Sequence, residues 1–153
     1  RAAVCASIAH QRWWSGGGLK PTREHLLMSL RAAPWLLQEP AVLDWLKRIA
    51  GASAAASTNP VREVKSFWEE IGRAIAAGPA PSSPPTRRLL GELLEAAATT
   101  LQSGSPRMAR VVALSALVQD PGYWVQWGRL ANVYRLACQS PRIAEAASAG
   151  SSR

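Results

Sequence analysis

Side-chain catalysis needs a nucleophile, a base or a set of metal ligands converging on one point. The residue types that could supply one are sparse in this 153-residue sequence. The histidines are His10 and His25, and neither has a cysteine or second histidine at metal-ligand spacing. The cysteines, Cys5 and Cys138, are too few for a disulfide framework or a four-ligand zinc site. Glu69 and Glu70 are neighbours on a predicted helix and point in different directions, so they cannot share a substrate proton. Gly16-Gly17-Gly18-Leu19-Lys20 lacks both the strand before it and the Ser or Thr after the lysine that a phosphate-cradling loop requires. The expectation is a protein that is not an enzyme, with no catalytic residues, cofactor, metal or small-molecule substrate.

Arginine and tryptophan offer recognition instead. Fifteen of the 18 basic residues are arginine, the side chain that grips planar anions through two parallel hydrogen bonds. Arg107, Arg110, Arg129, Arg135 and Arg142 fall in the C-terminal helices, and Arg107 and Arg110, three apart, share a helix face. They are the candidate contacts to RNA phosphate, positioning the backbone without reading bases. GC-rich codon usage, which raises Arg, Ala, Gly and Pro together, would give the same composition without that role. Tryptophan, present seven times, combines a large apolar area with one donor and is enriched at contact hot spots. Trp13, Trp14, Trp35 and Trp124 lie at or beside predicted helix boundaries and are the candidate protein contacts, whereas Trp68 reads as core.

The charge is uneven. Residues 1–23 hold Arg1, Arg12, Lys20 and Arg23 without one acid, which is half of the net charge of +8. With Ala2, Ala3, Ala6, Ser7 and Ala9, this opening has the make-up of a mitochondrial or plastid transit peptide. Arg12-Trp13-Trp14-Ser15 is similar to a matrix-peptidase cleavage pattern, which would make Ser15 the first mature residue. A disordered basic extension over 1–18 is the alternative. The expected location is the mitochondrial matrix.

The elements that would position these residues are all helical. Apolar residues are 48% and charged residues 18%, a globular balance in a chain of one-domain length. No apolar run approaches the roughly 20 residues of a membrane span. Pro21-Thr22 precedes Leu26, Leu27 and Leu30, with Thr22 as the expected N-cap and Pro34 as the stop. Glu39-Pro40 opens a helix with Val42, Leu43, Leu46, Ile49 and Ala50, which Gly51 should end before a small-residue linker over 51–59. Asn59-Pro60 caps a helix striped by Val61, Val64, Trp68, Ile71 and Ile75. Residues 19–77 thus form an N-terminal helical segment, and the proline-rich 78–86 is the expected boundary. Beyond it, Thr86 caps a leucine-rich helix, Ser105-Pro106 opens one carrying Val111, Val112, Leu114 and Leu117, and Asp120-Pro121-Gly122 turns the chain. Trp124, Trp127, Leu130, Tyr134 and Ala137 mark the next helix, and Ser140-Pro141 opens a short last one.

Residues 87–150 repeat themselves. Ser105-Pro106-Arg107-Met108-Ala109 recurs 35 residues later as Ser140-Pro141-Arg142-Ile143-Ala144, and Leu93, Ala97 and Thr100 correspond to Trp127, Ala131 and Tyr134. Within this region, about residues 90–150 resemble tetratricopeptide repeats: Ala109, Ala113, Ala116 and Leu117 before Asp120-Pro121 match a second helix and closing turn, and Trp127, Leu130, Ala131 and Tyr134 match first-helix positions. Thr100 in place of tyrosine and Cys138 in place of glycine depart from the pattern. The resemblance implies stacked helical hairpins making a docking platform. Pentatricopeptide repeats, 35 residues long and RNA-binding, are the sister reading, and a plain helical bundle is the other.

The fold expected is therefore all-α, with helical hairpins and a repeat-like C-terminal half. The function expected is a non-catalytic scaffold in a large protein or ribonucleoprotein assembly, a mitochondrial ribosome with rRNA contacts being the leading setting. The alternative is an accessory subunit or assembly factor of a respiratory or ATP-synthase complex, taking a partner helix on Leu94, Ala98 and Leu101.

Overall fold

The computed structural model describes residues 18–79 and 83–138, together with Gly16. Among the described residues there are six α-helices, two 3₁₀ segments and no strand, as the all-α reading requires. Proline and cap residues set most of the boundaries. α1 (Leu19–Ala32) stops before Pro34, whose ring disfavours α geometry at Ala33; that residue sits at φ −146°, ψ 81°. A 3₁₀ segment, Pro34–Gln38, leads into α2 (Pro40–Ala55), with Pro40 in the first turn, where its missing N–H has no partner to lose. Asn59 caps α3 (Pro60–Ala76), its Oδ1 accepting from the Arg62 amide at 3.2 Å. Thr86 caps α4 (Arg87–Leu101), its Oγ1 accepting from the Leu89 amide at 3.3 Å. After the turn Gln102–Gly104 comes α5 (Pro106–Gln119), closing a helical hairpin. A second 3₁₀ segment, Pro121–Val125, then leads to α6 (Trp127–Cys138).

Three local expectations are corrected. Thr22 is not an N-cap: α1 begins at Leu19, and the Thr22 hydroxyl, inside the helix, donates back to the Gly18 carbonyl at 2.9 Å. Gly51 does not stop α2, which runs on to Ala55. It is buried where α2 meets α4, and a Cβ there would collide with Thr100 Oγ1 and stand 3.2 Å from Thr100 Cβ. Glycine serves close approach here, not a left-handed turn. On α5, Ala109, Ala113 and Ala116 pack inward with Val112, as close alanine contacts require, while Val111 and Leu114 face out. Trp124 belongs to the second 3₁₀ segment and does not share a helix with Trp127.

The core is centred on α4, which packs against α2, α3, α5 and α6 and buries Leu89, Leu90, Leu93, Leu94, Ala97, Ala98 and Leu101. One continuous cluster draws in Leu30 from α1, Leu46 and Ile49 from α2, Phe67 and Ile71 from α3, and Val133 and Leu136 from α6. The 78–86 boundary therefore joins two segments that share one core; Lys47 of α2 pairs with Glu92 of α4 at 3.1 Å, and Trp68 Nε1 donates to the Thr86 carbonyl at 3.2 Å. The helix opened by Ser140-Pro141 lies outside the described residues. The repeat correspondence holds unevenly: Ala97 is fully buried, whereas its counterpart Ala131 is exposed.

Candidate interaction surface

α6 is fixed to the core by a polar latch built on Gly91, Glu95, Asp120, Tyr123, Arg129 and Asn132. Asp120 Oδ1 accepts from the Gly122 amide at 2.9 Å, turning the chain into the second 3₁₀ segment. That turn drives Tyr123 into the core with no exposed surface. A buried phenol needs a partner, and this one meets two acceptors, Glu95 Oε2 at 2.8 Å and the Gly91 carbonyl at 3.0 Å. Burial first, then the acceptor Glu95, push the Tyr123 hydroxyl well above its ordinary titration range, so it stays a donor. Asn132 Nδ2 of α6 donates to the other oxygen of Glu95. Arg129 stacks 4.1 Å above the centre of the Tyr123 ring and sets Nη1 3.1 Å from Asp120 Oδ2. All this fits only because Gly91 is bare: a Cβ there would stand 2.7 Å from Asp120 Cβ and 2.8 Å from Tyr123 Cε2.

A cleft of about 590 Å³ beside the latch is lined by Lys47, Arg88, Glu92, Glu95, Thr99 and Arg129. Glu92 takes Lys47 and Arg88, each at 3.1 Å. Burial alone would raise its carboxyl, but Lys47 and then Arg88 outweigh that and hold it below the usual carboxylate value. The cations therefore neutralise internal carboxylates.

The outer surface of the latched unit is apolar and cationic. Met108, Val111, Leu114 and Val118 of α5 are 37%, 53%, 52% and 75% exposed, and Trp124, Val125 and Tyr134 follow as exposed side chains. Between residues 103 and 138 the one carboxylate is Asp120, buried and paired, while Arg107 and Arg135 are exposed. Trp35 is exposed on the other half, beside a groove of about 540 Å³ shared with Pro34, Leu43, Pro84 and Pro85.

The structure sorts the sequence candidates clearly. Arg107, Arg110 and Arg135 lie on the α5–α6 unit, Arg107 and Arg135 exposed and Arg110 half-buried. Arg135 Nη2 donates to Asn132 Oδ1 at 2.8 Å. Arg129 is taken up inside the latch, so it is corrected from a phosphate contact to a packing residue. Leu94, Ala98 and Leu101 cannot form a partner surface, because they are core residues of the central helix. Trp35 and Trp124 are exposed. Trp13, Trp14 and Arg142 lie outside the described residues. Residue-type reasoning missed Glu95, Tyr123 and Gly91; the available signal was a mid-helix glycine in a leucine-rich run, which marks a close approach. It also missed Arg23, which reaches from α1 to Glu63 at 2.7 Å and Glu70 at 2.9 Å on α3.

Among the described residues no group of three His, Cys, Asp or Glu side chains could hold a metal ion, and no helix is long and apolar enough to cross a membrane. No protein-family model, curated protein or solved structure matches this chain.

Proposed function

We propose that this chain is a non-catalytic helical interaction module of an organellar assembly, with the mitochondrial ribosome as its setting. The observation that carries the reading is the latched α5–α6 unit, whose outer face combines exposed aliphatic side chains and Trp124 with arginines and offers no exposed carboxylate. Apolar patches with polar rims mark contact sites, and the basic, acid-free opening of the sequence supports delivery to the mitochondrial matrix. The α4–α5 hairpin, with Ala109, Ala113 and Ala116 buried at the helix crossing, supports a tetratricopeptide-like kinship. The second reading is a protein-only role as accessory subunit or assembly factor of a respiratory or ATP-synthase complex. It is favoured by the withdrawal of Arg129 into the latch, which leaves fewer arginines for phosphate.

Gradient sedimentation of matrix extracts from cells carrying the tagged full-length chain tests both. The expected result is migration with a particle far heavier than the 16.4 kDa chain, released by ribonuclease under the ribosomal reading and retained under the protein-only one. Migration as the free chain overturns both.

A further inference from the structure

We draw no further inference here: the strongest candidate, the exposed aliphatic strip of Met108, Val111, Leu114 and Val118 along the outer face of α5, carries none because nothing in the structure shows what covers it.

Discussion

Gly91→Ala should loosen α6 from the core even though alanine is the better helix former. The added Cβ would stand 2.7 Å from Asp120 Cβ and 2.8 Å from Tyr123 Cε2, against an ordinary carbon–carbon separation of about 3.5–4.0 Å. Neither neighbour can swing away. Asp120 Cβ is fixed by its own backbone, and Tyr123 is fully buried with its hydroxyl on Glu95. α4 and the second 3₁₀ segment must separate by roughly 1 Å to restore that contact distance. Overpacking of this kind costs about 1–3 kcal/mol, and loosening the Tyr123–Glu95 bond adds up to about 1.5–3 kcal/mol, since the acceptor is charged. The helix preference returns about 1 kcal/mol. The net expectation is a loss of about 2 kcal/mol, which lowers a urea midpoint by about 1 M at an m-value near 2 kcal/mol/M. Gly128→Ala is the matched control: it lies in α6 with nothing within 4 Å of an added Cβ, so it should raise the midpoint. Urea unfolding followed by tryptophan fluorescence and circular dichroism reads both. If Gly91→Ala is neutral, or stabilises as Gly128→Ala does, the latch geometry is wrong.

Two further outcomes follow from the ion pairs. Lys47 and Arg88 hold Glu92 below its ordinary value of 4.5, so the folded chain favours the carboxylate. The stability this gives is complete above that ordinary value and is lost as pH falls through the lowered one. Thermal midpoints of wild type and Glu92→Gln should therefore converge between about pH 7 and pH 3, and a gap that stays constant contradicts the pairing. Arg23→Ala removes the ties to Glu63 and Glu70 and the contact with the Phe67 ring, whose centre lies 4.7 Å from the guanidinium carbon. With the Arg23 side chain 16% exposed and its partners about a third exposed, a loss of about 1–3 kcal/mol is expected. Hydrogen exchange should quicken in α1 more than in α5; a uniform increase would mean that the pair does not act locally.

Most of the architecture was legible because its signals are local. Pro34, Pro40, Asn59-Pro60, Thr86, Ser105-Pro106 and Asp120-Pro121 act through their own φ angle or a hydrogen bond within three residues, and each marks a real boundary. Gly51 misled because glycine has two uses. A turn residue and a helix contact with no room for Cβ look alike until the neighbour, here Thr100 some 49 positions away, is known. The inward face of α5 follows the repeat pattern and not the order of hydrophobicity: Val111 and Leu114 are the larger apolar residues, but a close crossing with α4 selects small side chains, and Ala109, Ala113 and Ala116 are buried. The latch was invisible as a unit because Gly91, Glu95, Tyr123 and Arg129 span two helices and a turn, and none carries a motif.

The two-sided character of α5 has a physical cause only on one side. Its inward alanines let it approach α4, but nothing in that packing requires valine or leucine on the opposite face. α3 shows what this chain does with a helix whose outer face meets water: Arg62, Glu69 and Arg73 are exposed there, while Val64, Phe67, Ile71 and Ile75 are buried. A codon bias toward alanine and arginine acts on both helices alike, so it cannot explain why one outer face is charged and the other aliphatic. Solubility also favours the α3 pattern. What distinguishes α5 is that its outer face is aliphatic at Val111, Leu114 and Val118 although no packing among the described residues requires it.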